Sequence, residues 1–543
     1  MSSLPSDWMC VTLSDVANWS SGGTPSRSRP DFFAGDIPWA MIGDLDDGPV
    51  RTTAESITDA GLAESSAKLV QPGSVLIALY GSIGKLGITR VPMTTNQAIA
   101  FANPGILPVE YLFFYLLGQR AQLQAQGRGG TQSNINLRIL KGYPFPLAPL
   151  VEQQAIAAKV EALFSELDAG VAQLEAAQAL LKRYRQSVLK AAFEGRLTAE
   201  WREQRRREAE AAGPDEAKPL PTAEDLLEQI EAERQERAEQ QHAEWRQAVE
   251  AWEAAGGKDS GEKKPRRPAR PKDPPPLTEE ELESLPEGWC WVALDGLVDG
   301  KRTSAYGVLQ PGPDTPNGIP FVRVGDLVDG DVSRGSLKHI QPAISERYRR
   351  TLLEGRELLI SLVGTVGRSA VVPEELAGAN VARALAVIPL TPSVTPRFVE
   401  MQYRQVSKAA QLTAEAHEVA RKTLNLEDLK KSPTIIAPME EQVVIVEEVE
   451  RRLSIVNQIA AEIDNALASA VALRQSILKR AFEGRLLDEA ELEAVRLHPD
   501  YEPADRLLER IREQASAQSK TKKKTTRKKR SARRDTGTPQ ETT

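Results

Sequence analysis

The chain has 543 residues, a length that predicts several domains rather than one hydrophobic core. No run of about 18 apolar residues and no signal-peptide pattern occurs, so we expect a cytoplasmic location and no membrane partner. Two cysteines, Cys10 and Cys290, exclude a disulfide framework. The net charge of −7 does not exclude nucleic acid, because phosphate responds to the local distribution of charge.

Residues 1–148 contain short apolar runs, such as residues 74–80, that are separated by glycine and proline. This pattern predicts short strands and turns, with a helix near residues 109–126. Residues 111–151 contain no Asp or Glu and are rich in Arg, Lys, Gln and Asn. We therefore predict a mixed α/β domain in which this segment is the candidate surface for nucleic acid.

Residues 149–198 are predicted to form a long helix, because a proline and a first-turn glutamate precede a regular apolar stripe. The stripe has a spacing near 3.5 and consists of Ile156, Val160, Leu163, Leu167, Val171, Leu174 and Leu181. Such spacing is typical of a coiled-coil seam. The alternative is an amphipathic helix that packs on its own domain.

Residues 199–281 are charged and then rich in proline. One helix is expected, over the sequence AEDLLEQIEAERQERAEQ at residues 223–240. The remainder of this segment has the composition of an extended linker.

The second half of the chain repeats the first in the same order. LPEGWCWVAL (285–294) matches LPSDWMCVTL (4–13), and RQSILKRAFEGRL (474–486) matches RQSVLKAAFEGRL (185–197). The repeat predicts a second mixed α/β domain over 282–436 and a second helical region over 437–514. The second stripe consists of Ile445, Val449, Leu453, Val456, Ile463, Leu467 and Ile477. We interpret the fold as α+β with a pseudo-twofold internal repeat, in which the two long helices pack on each other; a duplication kept for stability alone is the other reading.

Residues 515–543 form a basic tail of low complexity, with ten Lys or Arg and no acid between Lys520 and Arg534. This composition predicts disorder. The tail is equally consistent with non-specific contact to nucleic acid and with a solubilising role.

No catalytic motif is complete. The DPPP sequence at 273–276 lacks the aromatic residue of an amino-methyltransferase motif, and GSIGKL at 81–86 lacks the hydroxyl that a phosphate loop needs for magnesium. The two acids of PDEAK at 214–218 are adjacent and lie in the linker. His242, His339, His417 and His498 show no metal-ligand spacing. We expect neither catalysis nor a metal or cofactor site in this chain.

Six motifs occur twice in the same order: LPxxW, GDL, the glycine-containing GSIGK or GTVGR, NL, EQ at the start of a long helix, and FEGRL at its end. This doubled pattern resembles the specificity subunit of Type I restriction–modification systems. The resemblance covers nearly the whole chain except the proline-rich linker and the basic tail. Two departures are MEEQ at 439–442 in place of LVEQ at 150–153, and ARKTLNL at 420–426 in place of TQSNINL at 131–137.

The resemblance implies a non-catalytic subunit. Each globular part would be a target-recognition domain that reads one half of an asymmetric bipartite site in double-stranded DNA. The long helices would form an antiparallel coiled coil that sets the unread spacer and docks two modification subunits. Those subunits would bring S-adenosylmethionine for adenine-N6 methylation. Restriction subunits with motor and nuclease activity would require ATP and magnesium.

Candidate DNA contacts follow from the side chains that read base edges and phosphates. In the first domain they are Lys85, Arg128, Gln132, Asn134, Arg138 and Lys141. In the second domain they are Arg323, Arg368, Arg383, Arg421, Lys422 and Lys430. A solvated surface charge is the alternative for each. Asn136 and Asn425 are expected to cap or brace turns, and the glycines Gly81, Gly84, Gly364 and Gly367 are expected to permit tight ones.

The FEGRL repeat is a candidate docking surface for two identical partners, formed by Phe193, Gly195, Arg196, Leu197, Phe482, Gly484, Arg485 and Leu486. Alternatively, it caps a helix end and packs there. Two other functional classes remain open: a methyltransferase or nuclease fused to recognition domains, and a coiled-coil scaffold that binds protein.

Overall fold

The computed structural model describes residues 4–127, 134–211, 220–257, 261, 263–268, 274–277, 283–335, 337–418 and 422–517. The chain divides into a first unit of residues 1–175 and 463–543, and a second unit of residues 176–462. Both contain short strands and helices together with part of each long helix, Leu150–Phe193 and Met439–Phe482. The predicted α+β fold with two long helices is confirmed.

The first unit contains a five-stranded and a three-stranded sheet, and a two-stranded ribbon. In spatial order, the five strands are Ser20–Ser21, Ile99–Ala102, Val75–Ala78, Leu86–Thr89 and Gly48–Val50. The three are Glu55–Ile57, Phe33–Ala40 and Thr94–Thr95, and the ribbon pairs Met9–Thr12 with Pro144–Leu147. Its helices besides the long ones are Leu13–Val16, Asp59–Ala63, Val109–Gly118, Arg120–Ala125, Leu137–Lys141, Glu489–Arg496 and 504–517, with 3-10 turns at Pro30–Phe32 and Ile42–Asp44.

The second unit contains a four-stranded sheet, a three-stranded sheet and three two-stranded pairs. The larger sheet runs Ala305–Tyr306, Leu385–Ile388, Leu358–Ser361 and Ser369–Val371, and the smaller Lys338–Ile340, Ile319–Val322 and Asn380–Val381. Two-stranded pairs are Cys290–Ala293 with Pro433–Ile436, Leu327–Val328 with Asp331–Val332, and His417–Glu418 with Lys422–Thr423. Its other helices are Ala199–Ala211, Ala223–Ala254, Pro342–Arg347, Pro396–Tyr403, Val406–Ala414 and Leu426–Lys430, with 3-10 turns at Leu294–Leu297, Val324–Asp326, Arg349–Thr351 and Glu374–Leu376.

The apolar stripes lie on the buried or half-buried side of the long helices, as the heptad spacing predicted. In the first unit Arg474 of the second helix pairs with Asp168 of the first. In the second unit Arg185 donates to the Asn457 amide oxygen at 2.6 Å. In the first unit Lys159, nearer the start of the first helix, also pairs with Glu491, which lies beyond the end of the second helix. The two contacts of the first unit run in opposite order along the two helices, which is antiparallel packing.

Both long helices begin at a buried carboxylate that accepts a hydrogen bond from the LPxxW tryptophan. Trp8 Nε1 donates to Glu152 at 3.0 Å, and Trp289 Nε1 donates to Glu441 at 2.8 Å. The repeated tryptophan is thus the donor, and the glutamate of the repeated EQ sequence the acceptor, of the same hydrogen bond in both units. Within the part of the chain that the structure describes, only the second carboxylate has an ion pair, which it forms with Arg202.

Both long helices end at a glycine with positive φ, Gly195 at 70° and Gly484 at 68°. A Cβ on Gly195 would lie 2.3 Å from Pro286, and one on Gly484 would lie 2.3 Å from Pro5. The glycine of FEGRL is required both by the left-handed end of the helix and by the proline of LPxxW packed on it. The FEGRL sequence of one repeat therefore packs against the LPxxW sequence of the other.

The chain after each FEGRL forms a second contact with the opposite repeat. The Ala223 amide donates to the Gly288 carbonyl at 2.8 Å, and the Ala504 amide donates to the Asp7 carbonyl at 3.3 Å. Apolar side chains on these helices are buried in the core of their unit; they are Leu226, Ile230, Leu507, Leu508 and Ile511. The similar sequences EDLLEQI (224–230) and DRLLERI (505–511) therefore pack in equivalent ways in the two units.

The segment 199–281 contains more helix than the sequence predicted. Ala223–Ala254 extends well beyond residue 240, and Ala199–Ala211 is an additional helix. Its first turns are held by Arg202, whose guanidinium contacts Glu441 and the Gly195 carbonyl. The charged composition concealed a helix that is fixed by ion pairs rather than by an apolar stripe.

Candidate nucleic-acid interface

A tight turn rich in glycine follows a buried strand in both units, and we name it the glycine turn. It comprises residues 81–85 in the first unit and 364–368 in the second. Gly81 and Gly84 have φ of 64° and 80°, and Gly364 and Gly367 have φ of 82° and 85°. The prediction that these glycines permit a tight turn is confirmed, since other residues rarely adopt such backbone angles.

The cation that ends each glycine turn makes the same contact in both units. Lys85 Nζ donates to the Ile42 carbonyl at 3.3 Å, and Arg368 Nη1 donates to the Val324 carbonyl at 3.4 Å. Both acceptors belong to the first residue of a 3-10 turn in the repeated GDL sequence. Two separate loops are therefore joined at a cation in each unit.

A third segment, which leads into the helix of the repeated NL sequence, adds one strand-like pair to each glycine turn. The Ile135 amide donates to the Leu79 carbonyl at 3.0 Å, and the Leu424 amide donates to Leu362 at 2.8 Å. Three loops from distant parts of the sequence thus converge in each unit. This convergence is the candidate interface.

The first-domain candidates partly converge. Lys85 is half-buried and Asn134 is exposed, and both lie at the convergence. Arg138 and Lys141 lie on the adjoining helix Leu137–Lys141. Arg128 and Gln132 are outside the described residues, so their assignment stays a prediction.

The second-domain candidates gather around the 3-10 turn Val324–Asp326. Arg323 follows the strand Ile319–Val322, and Arg383 is near the end of its parallel neighbour Asn380–Val381. Exposed Arg368 contacts the same turn, and the Lys422 carbonyl accepts from the Gly364 amide. Four candidates therefore share one region, whereas Arg421 lies outside the described residues.

Two of the second-domain cations are already engaged by carboxylates. Arg323 donates to both oxygens of Asp326, at 2.9 and 3.1 Å, and this contact raises the pKa of its guanidinium. Lys430 Nζ lies 2.9 Å from Glu427. Carboxylate contacts compete with phosphate, so these two are weaker candidates than Arg368 and Arg383.

The two asparagines before the repeated leucine behave differently. Asn136 caps the helix Leu137–Lys141, because its side chain accepts from the Ile139 amide at 2.9 Å. That expectation is confirmed. Asn425 occupies the equivalent cap position without a side-chain cap bond.

The sequence interpretation missed the residues that support the turns. Arg120 donates to the Gly84 carbonyl at 2.9 Å and pairs with Asp47, and Gln124 donates to Ile83 at 3.1 Å. The helix predicted over 109–126 is interrupted at Gln119, and its second part, Arg120–Ala125, carries these two side chains. The absence of acids in that segment was the only available signal.

A buried carboxylate lies behind the second glycine turn. Glu400 is fully buried, accepts from Ser369 Oγ at 3.0 Å, and lies 3.6 and 3.7 Å from Arg397 and Arg404. Burial raises the pKa of Glu400 to about 7, although both arginines oppose the shift. The carboxyl is therefore expected to titrate near neutral pH.

This titration predicts a pH-dependent stability. Since the pKa is raised by folding, the neutral carboxyl favours the folded state below its ordinary value of 4.5, and that contribution is lost as pH rises to about 7. Relative to Glu400→Gln, the wild-type free energy of unfolding should fall by about 3 kcal/mol over this range in urea titrations. A constant difference between wild type and Glu400→Gln would contradict the assignment.

The FEGRL residues proved to be mostly internal. Phe193 and Phe482 are 4% and 6% exposed, and their rings contact Phe398 and Tyr111 respectively. The docking interpretation is corrected for both phenylalanines and for Gly195 and Gly484, because a docked subunit cannot reach side chains in the core or a backbone covered by proline. Leu197 and Leu486 pack beside the same cores. Arg196 and Arg485 are exposed and stay predictions.

Comparison with known proteins agrees with this architecture. A family model described as the Type I restriction modification DNA specificity domain matches residues 5–176. The EcoBI specificity subunit of Escherichia coli is 28% identical over 518 residues, which cover 95% of this chain and 94% of that protein. The EcoKI specificity subunit of Escherichia coli strain K12 is 23% identical and covers 95% and 97%. Over almost its whole length the chain is therefore similar to Type I specificity subunits, and residues 5–176 match the model of their DNA specificity domain.

One solved structure shares the fold. A solved chain of the type I R-M system superposes with a TM-score of 0.59 at 18% identity, over 89% of this chain and all of that one. No helix among the described residues is both long and apolar enough to cross a membrane. Within the same residues, no group of three His, Cys, Asp or Glu side chains could hold a metal ion.

Proposed function

We propose that this chain is a Type I specificity subunit and reads an asymmetric, bipartite DNA site, one half-site with each unit. The observation that carries the proposal is the duplicated cationic turn. Lys85 and Arg368 make equivalent carbonyl contacts, while the polar side chains around them differ between the units. One backbone frame with two sets of side chains suits a protein that reads two different sequences.

The long helices are proposed to set the number of unread base pairs between the half-sites. Each has 44 residues, which at a rise of 1.5 Å per residue corresponds to about 66 Å. That length is about two turns of B-DNA at roughly 34 Å each.

Catalysis is proposed to belong to partner subunits: adenine-N6 methylation with S-adenosylmethionine to two modification subunits, and ATP- and magnesium-dependent cleavage to restriction subunits. This part of the proposal rests on the family resemblance and on the incomplete catalytic motifs of this chain. Purified chain alone should therefore transfer no methyl group to DNA. Methyl transfer by the isolated chain would exclude the proposal in favour of a fused methyltransferase.

The docking surface for the modification subunits is proposed to be the outer face of the long helices. Leu180 and Tyr184 are 58% and 44% exposed, one turn apart on the first helix. Ile455 and Ile459 are 46% and 41% exposed, one turn apart on the second. Apolar side chains that remain exposed at helical spacing on both helices of one unit are typical of a protein interface.

Leu180→Glu with Ile459→Glu should remove one of the two modification subunits from the purified complex, because buried charge without a partner opposes association. The stoichiometry is measured by native mass spectrometry. Leu309→Glu provides the control, since Leu309 is 51% exposed and lies off the long helices. If both complexes keep two modification subunits, the interface lies elsewhere.

The recognition function is tested by methylome sequencing of cells that carry the modification subunit with and without this chain. The expected result is one bipartite motif with two different half-sites and a fixed unread spacer. If no motif depends on the chain, the recognition role fails.

A further inference from the structure

One cross-strand pair of residues lies beside each glycine turn, and its side chains are more exposed than the buried neighbours on the same strands, although Val363 also contacts the edge of the core. In the first unit Tyr80 and Asn134 form an isolated antiparallel bridge. Their neighbours Leu79 and Ile135 are buried, at 3% and 0% exposure. Since side chains alternate along a strand, the bridge residues lie on the opposite side, and Tyr80 is 41% exposed and Asn134 is exposed.

The second unit has the same bridge at the same place. Val363 and Thr423 are paired, and the adjacent Leu362 and Leu424 are fully buried. Val363 and Thr423 are half-buried. The backbone frame of the two bridges is therefore shared, including the hydrogen bond from the second segment to the leucine before the turn.

The side chains of the bridge change more than those of the turn. GSIGK and GTVGR differ only conservatively, and the final cation is retained as Lys85 or Arg368. The bridge, in contrast, changes from Tyr80 with Asn134 to Val363 with Thr423. Residues directly opposite in an antiparallel pair have Cβ atoms about 5 Å apart, so each pair presents one joint surface.

We propose that the bridge pairs, 80 with 134 and 363 with 423, determine which bases each unit accepts, whereas Lys85 and Arg368 bind phosphate. The proposal rests on the function proposed above and assigns its specificity to particular positions. Asn134 has the amide that can bind adenine N6 and N7 together, and the Tyr80 hydroxyl can donate or accept. Val363 and the Thr423 methyl offer apolar contact to a thymine methyl group.

The test exchanges the pairs in the full complex with its modification subunits. Initial methylation rates are measured on duplexes in which each recognised base pair is replaced in turn. Tyr80→Val with Asn134→Thr should change base preference about tenfold or more at positions of one half-site only. Val363→Tyr with Thr423→Asn should change the other half-site and leave the first intact.

The matched control is Lys85→Ala, which should slow methylation on all duplexes by one common factor and reduce the salt dependence. If the Tyr80→Val/Asn134→Thr variant has a lower melting temperature, it is replaced by Asn134→Asp, which keeps the side-chain size. A common factor across all duplexes for the bridge variants, or unchanged preferences, would overturn the proposal. A wild-type complex without any bipartite preference would instead show that the proposed function itself fails.

Discussion

Replacing Glu441 with alanine is expected to lower the free energy of unfolding of the second unit by about 3–5 kcal/mol. The Glu441 carboxylate is buried and serves three donors at once: Trp289 Nε1 at 2.8 Å, Thr198 Oγ1 at 2.6 Å and the Arg202 guanidinium. Its removal leaves a largely buried guanidinium and two other donors without their acceptor. That loss exceeds what the ion pair itself contributes.

The equivalent residue of the first unit provides the matched control. Glu152 accepts from Trp8, and burial raises the pKa of its carboxyl, while Arg496 opposes that shift. Among the described residues no arginine forms an ion pair with Glu152 of the kind that Arg202 forms with Glu441. Glu152→Ala removes the same carboxylate but leaves one indole donor without its acceptor, so a smaller loss of about 1–3 kcal/mol is expected. Urea unfolding followed by circular dichroism compares the variants. Equal losses for both would show that Arg202 is not the reason for the cost.

Phe482→Ala is expected to destabilise the first unit by about 3–5 kcal/mol, because it leaves a cavity among aromatic rings. The Phe482 ring centroid lies 5.1 Å from Tyr111 and 5.2 Å from Tyr115, with edge-to-face geometry at both. Phe193→Ala should have a comparable effect in the second unit, where Phe398 lies 5.2 Å away. Any loss of subunit binding by these variants would then follow from unfolding.

Thermal unfolding with Leu473→Ala as control tests this expectation. Leu473 lies on the same long helix as Phe482 but is 50% exposed, so its truncation should cost little. A stable, fully folded Phe482→Ala variant with weakened subunit binding would restore the docking interpretation of FEGRL.

Much of the fold could be predicted because the sequence contains an internal repeat. The ordered repeat of LPxxW, GDL, the glycine turn, NL, EQ and FEGRL predicted two similar halves, and 3.5-residue spacing predicted both long helices. Pairs of motifs that are far apart could not be joined in the same way. Trp289 with Glu441, and Gly195 with Pro286, meet only after folding, because sequence order does not state which chain segments come into contact.

The same limit explains the errors at FEGRL. A repeated motif with phenylalanine and arginine has the composition of a docking surface and equally that of a closed helix end. Burial distinguishes the two, and burial depends on the rest of the unit. The helix Ala199–Ala211 was missed for a related reason. Its arginines Arg202 and Arg205 pair with Glu441 and Glu440, which lie more than 200 residues away in the sequence.

The sequence by itself determined that two similar units exist, that long helices follow them, and that cations and amides concentrate near residues 111–151. Tertiary structure alone decided that each unit is completed by the segment after the opposite repeat's helix, and that three distant loops meet at Lys85 and at Arg368. The physical reason is that periodicity and turn chemistry are local properties of the chain. Burial, ion pairing and the convergence of loops depend on contacts between residues that only folding brings together.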